Sequence, residues 1–215
     1  MSFDEKLGAE GMMRRCGLVL MVLAVLAVAV PAFGETLFFS REFPGSGPEY
    51  FEVELTAEGS AIYREEPDDE APWTFTLRER ETKVIFGLIK ELDGLRKPIR
   101  SDRKVAFTGD KVFRYGDGVE VKYAYTEDDD ARALEGWFLR MAESATHLFA
   151  LERTVQFDRL GVNKMLLYFQ TSFDKKRIVA SHEFLPILRK IAGGKQFVHI
   201  AQARAAALVE RIESE

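Results

Sequence analysis

The sequence predicts an α+β fold: an antiparallel sheet of meanders with about six to seven strands and packed helices, followed by a bundle of about four antiparallel helices. Two observations predict it. Apolar and polar side chains alternate with a period of two through most of residues 35–126, which is typical of half-buried strands. From residue 127 onward, apolar side chains recur at helical spacing. We therefore expect a strand-rich α+β domain over 35–126 and a helical domain over 127–215.

The strands of the first half are predicted from segments in which one parity is apolar. In one of them, Phe51, Val53 and Leu55 alternate with polar residues, and a turn that contains Gly59 follows. The pattern recurs at 36–43, 61–63, 73–77, 105–107, 113–115 and 119–125. Short, turn-rich connections separate several of these segments, so neighbouring strands are expected to pair as antiparallel meanders.

One helix is expected to interrupt the strands at about 82–93. Ile85, Ile89 and Leu92 recur at helical spacing there, and Gly94 follows as a stop signal. We expect this helix to cover the apolar face of the sheet.

The helices of the second half are predicted from their caps as well as from their periodicity. The acidic run 127–130 precedes the first helix, where carboxylates complement the positive end of the helix dipole. Asp158 and Ser181 are the expected caps of the second and third helices. The fourth is expected over about 198–212, after the break at 193–194.

The N-terminal segment predicts export. Arg14 and Arg15 precede an uncharged apolar run at 17–30, and small residues suited to cleavage follow at 32–34. We therefore interpret residues 1–34 as a signal peptide and expect a periplasmic or extracellular protein. The apolar run is shorter than the roughly 20 residues that a spanning helix needs, so an uncleaved inner-membrane anchor is the alternative. Met1, Met12 and Met13 all remain possible starts of translation.

Charge and cysteine content exclude several classes of function. The chain has a formal net charge of −5, which argues against a broadly basic nucleic-acid binder. Its single cysteine, Cys16, lies inside the predicted signal peptide. The mature protein is therefore expected to contain no disulfide, no thiolate metal site and no cysteine nucleophile.

Neither a catalytic nor a metal site is predicted. His147, His182 and His199 are not spaced as metal ligands. Ser144 lies three residues before His147, a spacing that is common by chance, and the sequence shows no acid to orient the ring. The acidic run 65–70 lacks the alternating ligands of a calcium loop. We predict no cofactor, and the sequence does not favour an enzyme.

Two groups of residues are candidates for binding. The aromatic group alternates onto faces of the predicted sheet; it consists of Trp73, Phe75, Tyr115, Tyr123 and Tyr125. Helices that cover that face would make these residues part of the core, which is the favoured interpretation, whereas an open face would form a platform for a sugar, a peptide or a partner strand. The basic group is five cations within 96–104. It suits an anionic lipid headgroup or cell-wall polymer, although an exposed linker that balances nearby carboxylates is favoured.

A short hairpin pattern links the chain to a known group of sequences. The stretch Gly47-Pro48-Glu49-Tyr50, followed by Val53, Leu55, Glu58-Gly59 and Tyr63, resembles a family of uncharacterised exported bacterial proteins. The pattern of that family is Gly-x-Cys-Pro-x-Tyr followed by a hairpin with an Asp-Gly turn. The cysteine is absent here, and the resemblance implies no activity.

The function expected from the sequence is a non-catalytic binding or interaction module in the cell envelope. Its partner would be a protein, a peptide or an envelope polymer. One alternative is a cofactor-independent hydrolase that uses two carboxylates, since such a pair leaves no sequence motif. The other alternative is an envelope protein tethered to the membrane through its uncleaved signal.

Overall fold

The structure is a computed structural model that describes residues 35–116 and 118–215. The predicted signal peptide, residues 1–34, lies outside the described residues. The described part of the chain belongs to one compact unit.

Six strands form one sheet. They are β1 (Thr36–Glu42), β2 (Tyr50–Thr56), β3 (Ser60–Arg64), β4 (Trp73–Thr76), β5 (Asp110–Tyr115) and β6 (Val119–Tyr123). Their order across the sheet is β4-β3-β2-β1-β5-β6, and all neighbouring strands are antiparallel. The first strand therefore lies in the middle of the sheet, between a three-stranded meander and a hairpin.

One α-helix lies between the two groups of strands, and the others follow β6. They are α1 (Glu79–Glu91), α2 (Asp129–Phe157), α3 (Val162–Asp174), α4 (Leu185–Gly193) and α5 (His199–Glu213). A 3₁₀ turn, Ser181–Phe184, leads directly into α4. The predicted α+β class with an antiparallel sheet is confirmed.

One predicted strand is wrong. Residues 105–107 pair with no strand, and the side chains of Val105 and Phe107 are 44% and 53% exposed. Residues 105–107 instead line a cavity with residues 122–125, and the preceding chain is attached there because the amide of Ser101 donates to Tyr125 O at 3.0 Å. The alternation of apolar residues at 105–107 therefore marks an exposed segment that lies beside the sheet.

The apolar side chains of the sheet point to the face that the helices cover. Phe39 occupies the centre of this face, where its ring centroid lies 4.7 Å from that of Phe113 on β5 and 5.0 Å from that of Phe138 on α2. All three side chains are fully buried. The apolar side chains of the strands and of α2 thus form one core, which also includes side chains of α1.

Helix α2 contributes to two apolar clusters. Its first half packs in the sheet core, and its second half packs with α3, α4 and α5 around residues such as Phe169 and Phe184. Asp128 caps the helix by accepting hydrogen bonds from the amides of Asp130 and Ala131, both at 3.0 Å. The prediction that the acidic run begins a helix is therefore confirmed. Of the helices in residues 35–116 and 118–215, none combines the length and the apolar character that a bilayer crossing requires.

Candidate functional site

Two of the predicted aromatic residues lie together at one edge of the sheet. The rings of Trp73 and Phe75 on β4 stack with centroids 4.1 Å apart. Phe75 is buried, and Trp73 is half-buried with its ring 6.4 Å from that of Phe149 on α2. Both side chains therefore pack on the side of the sheet that the helices cover.

The three tyrosines lie near the opposite edge. Tyr115 is half-buried, and its hydroxyl donates to Glu35. Burial is the main cause that raises the pKa of Tyr115 to about 12, and the hydrogen bond to Glu35 is the next largest cause. Tyr123 is buried and stacks on Phe113, with centroids 5.8 Å apart. Tyr125 lies just beyond β6 and is half-exposed. Of the five aromatic residues, Tyr123 and Tyr125 line one cavity together.

The cavity lies between the segment 100–107 and the end of β6, and its volume is about 500 Å³. We call this space the linker cavity. Its walls combine cations with aromatic rings and two carboxylates, contributed by Arg100, Asp102, Arg103, Lys104, Phe107, Asp110, Lys122, Tyr123 and Tyr125 among others. The two groups that the sequence marked as binding candidates, the basic linker and part of the aromatic set, therefore meet here.

Hydrogen bonds hold the linker, the basic segment that forms one side of the cavity, in place over the end of β6. Ser101 Oγ and Arg103 Nη1 donate to the two carboxylate oxygens of Glu127, at 2.9 Å and 3.0 Å. These two bonds lower the pKa of Glu127 below its usual value, and the bond from Ser101 has the larger effect. At the other end of the linker, Thr108 Oγ1 donates to Ala124 O at 3.2 Å. The cavity thus has a defined wall although the linker forms no strand.

A buried charge network centred on Lys111 holds Thr108 and Ala124 together. Lys111 is only 5% exposed, and its Nζ lies 2.9 Å from Glu135 Oε1 on α2. It also donates to Thr108 Oγ1 and to Ala124 O, both at 3.0 Å. Tyr123 donates to the second oxygen of Glu135 at 3.1 Å, and burial raises the pKa of Tyr123. One carboxylate therefore fixes both the aromatic wall and the anchor of the linker.

Lys111 and Glu135 were not predicted as functional residues. A signal for Lys111 was present, because Lys111 shares its parity with Phe113 and Tyr115 and so lies on the apolar face of β5. A lysine at such a position requires a buried partner. The partner of Lys111 is Glu135 on α2. The parity of a strand cannot identify a partner that lies on another element.

The cations of the linker cavity can exchange their partners. Arg100 pairs with Asp102 at 3.2 Å, and Arg103 pairs with Glu127 at 3.0 Å. All four side chains are more than half exposed, so each pair contributes little to stability. Within the part of the chain that the structure describes, Lys104 forms no ion pair within 4.0 Å. An anion that enters the cavity therefore meets available positive charge.

Ser144 and His147, which are three residues apart on α2, have different hydrogen-bond partners. Ser144 is fully buried, and its Oγ accepts the amide hydrogen of Val179 at 3.0 Å. The imidazole of His147 instead contacts Ser172 on α3, with 2.9 Å between Nε2 and Oγ. Ser144 thus joins α2 to the segment after α3.

The contact between His147 and Ser172 is not arranged for nucleophilic catalysis. The Ser172 hydroxyl donates to Glu143 Oε1 at 2.8 Å, and Arg177 donates to Oε2 of the same carboxylate at 2.8 Å. Because a hydroxyl has one hydrogen to donate, Nε2 of His147 must donate to Ser172 Oγ. A nitrogen that carries a proton toward the serine cannot accept the serine proton, so the group links α2 to α3 structurally.

His147 provides a pH-dependent contribution to stability. Its burial, opposed by the nearby Glu143, lowers the pKa of His147 below the ordinary 6.5. The unfolded chain therefore binds a proton at a pH where the folded chain does not, and stability is lost as the pH falls below about 6.5. We expect the free energy of unfolding to fall less between about pH 7.5 and pH 5.0 for His147→Gln than for the wild type. Urea titrations at both pH values measure this difference, and equal decreases would contradict it.

Metal-ligand clusters of three or more His, Cys, Asp or Glu side chains are not found within 35–116 and 118–215. The three histidines lie on different elements: His147 on α2, His182 in the 3₁₀ turn and His199 at the start of α5. The Nε2 atom of His182 lies 3.5 Å from Oε1 of its neighbour Glu183.

Comparisons of the chain with protein-family models, with curated proteins and with solved structures give no match.

Proposed function

We propose that this protein is an exported, non-catalytic binding module of the cell envelope that binds an anionic envelope polymer in the linker cavity. The observation that carries the proposal is the convergence of exposed cations and aromatic rings around a space of about 500 Å³. This volume lies within the range of ligand pockets, roughly 300–1,000 Å³.

The chemistry of the walls favours a glycan that carries phosphate or carboxylate groups. Arg103 and Lys104 can pair with its anions, because guanidinium and ammonium groups form strong charge-assisted hydrogen bonds with such oxygens. The rings of Phe107 and Tyr125 offer apolar faces on which sugar rings can stack. Phe107 is 53% exposed, so part of its ring is accessible to a ligand in the cavity.

The other expectations from the sequence fit this proposal. Export through the signal at 1–34 would bring the cavity to envelope polymers, and an uncleaved signal would tether it beside them. The helical half, as a bundle of about four antiparallel helices, would support the sheet and present the linker. N-terminal sequencing and cell fractionation distinguish the released form from the tethered form.

A carboxylate hydrolase is the second candidate, because Asp102 and Asp110 line the same cavity. The surroundings of Asp102 argue against it, since that side chain is 87% exposed and pairs with Arg100. General acids of glycosidases lie in more apolar surroundings. Release of reducing ends from a glycan, lost in Asp110→Asn, would favour the hydrolase.

Binding of dextran and of phosphate-esterified dextran of matched length tests the proposal. We expect the mature protein to prefer the phosphorylated polymer, and we expect Lys104→Gln to weaken that binding about fivefold to tenfold through the loss of about 1 kcal/mol. Arg189→Gln is the matched control, because Arg189 is an exposed cation on α4 that pairs with Glu213 at 2.5 Å. Equal binding of both polymers, or equal losses in both variants, would contradict the proposal.

A further inference from the structure

A second cavity, away from the linker, has a volume of about 490 Å³. It lies where α1, α2, the end of α3 and the segment 176–181 meet. Its wall contains the rings of Trp137 and Phe173, and three cations line it, namely Arg80, Arg140 and Lys176. We call this space the helix cavity. It combines apolar surface with positive charge in one concave site.

The central feature of the helix cavity is an arginine stacked on a tryptophan. The guanidinium carbon of Arg140 lies 3.8 Å from the centroid of the Trp137 ring. The Nε of Arg140 donates to Gly136 O at 3.2 Å, which holds the guanidinium over the ring. An arginine held in this way loses little conformational freedom when it binds a planar carboxylate.

The cations that line the helix cavity differ in whether they already have a partner. Its two carboxylates already have donors: Glu81 Oε2 accepts the amide hydrogen of Arg78 at 2.8 Å, and Glu215 Oε2 accepts from Ser181 at 2.8 Å. Arg140 and Lys176, by contrast, have no carboxylate within 4.0 Å among the residues that the structure describes. Arg140 and Lys176 therefore offer positive charge next to aromatic surface, whereas Arg80 already donates to Glu215 O at 3.0 Å.

One corner of the helix cavity already holds a carboxylate. Glu215 lies against Ser181, which is only 4% exposed, and its Oε2 is 3.5 Å from Arg78 Nη2. Arg78 in turn donates to Ser181 Oγ and to Ile212 O, both at 3.3 Å. The side chain of Glu215 thus shows that carboxylate oxygens fit the polar end of this cavity.

We infer that the helix cavity binds a small amphipathic carboxylate, with its carboxylate on Arg140 and Lys176 and its apolar body on Trp137 and Phe173. The aromatic wall supplies hydrophobic contact, and the cations supply recognition of the charge. Val84, which is 50% exposed at the edge of the cavity, extends the apolar wall. The inference is independent of the linker cavity, which is lined by none of these residues.

Titration with octanoate tests the inference, since octanoate has one carboxylate and an apolar chain. Octanol lacks the charge and acetate lacks the apolar chain, so both are expected to bind at least tenfold more weakly than octanoate. Calorimetry gives the affinity, and a change in tryptophan fluorescence that is lost in Trp137→Phe places the ligand at this wall. Octanol binding as tightly as octanoate would overturn the inference.

Two variants test the role of the cations. We expect Arg140→Gln to weaken octanoate binding about tenfold, and Lys176→Gln, which alters an exposed side chain, to weaken it about threefold. Arg114→Gln is the matched control. The guanidinium carbon of Arg114 lies 3.7 Å from the centroid of the Phe38 ring, so this arginine also stacks on an aromatic ring, but it lies on the sheet and not in the helix cavity. Unchanged affinity in both cavity variants, or an equal loss in Arg114→Gln, would overturn the inference whether or not the linker cavity binds its polymer.

Discussion

Phe138→Ala is expected to lower the free energy of unfolding by about 3–5 kcal/mol, because it leaves a large cavity at the centre of the sheet core. The Phe138 side chain is fully buried, and its ring centroid lies 5.0 Å from that of Phe39 and 5.7 Å from that of Phe113. Its ring packs α2 against the neighbouring strands β1 and β5. Urea denaturation followed by circular dichroism measures the loss.

Phe157→Ala is the control for this substitution. Phe157 ends the same helix, but its side chain is 74% exposed. We expect its replacement to change the free energy of unfolding by less than about 0.5 kcal/mol. Similar losses in the two variants would show that the position of α2 on the sheet is not as described.

Glu135→Leu is expected to have the second large effect, a loss of about 3–5 kcal/mol. The substitution leaves Lys111 buried without its counterion, directly opposite Arg41 on the neighbouring strand. It also removes the acceptor of the Tyr123 hydroxyl. A buried lysine that faces a half-buried arginine without a carboxylate is strongly unfavourable. Urea denaturation again measures the loss.

The double variant Lys111→Met with Glu135→Leu distinguishes loss of the ion pair from loss of packing. Replacing both charges with apolar side chains removes the uncompensated cation, so we expect most of the lost stability to return. Glu152→Leu, at an exposed position on the same helix, should change stability by less than about 0.5 kcal/mol. A double variant as unstable as Glu135→Leu would contradict the role given to the pair.

The strands and helices were largely predictable because their signals are local. Alternation in Phe51, Val53 and Leu55 marks a strand whose apolar parity must face a core, and β2 has that orientation. The same alternation at Val105 and Phe107 gave a wrong strand. A strand requires a neighbouring backbone to pair with, and whether a neighbour is in reach depends on the path of the whole chain.

The candidate sites were predictable only in part, because they join residues that are distant in sequence. The basic linker was visible as a run of cations, but nothing local places it over Tyr125. The stack of Arg140 on Trp137 follows from a spacing of three residues on a helix, a spacing that brings side chains together. Its function as a cavity wall depends on Phe173, which α3 contributes.

The proposal that the linker cavity binds an anionic polymer is tested most directly by mapping the bound ligand. Backbone amide shifts would be recorded by NMR while phosphate-esterified dextran is titrated into the mature protein. We predict that the shifts concentrate at residues 100–107 and 122–125, and that they disappear with added salt, because the contacts are between exposed charges. Shifts that map elsewhere, for example onto the helix cavity around Trp137, or no shifts at saturating polymer, would contradict the proposal.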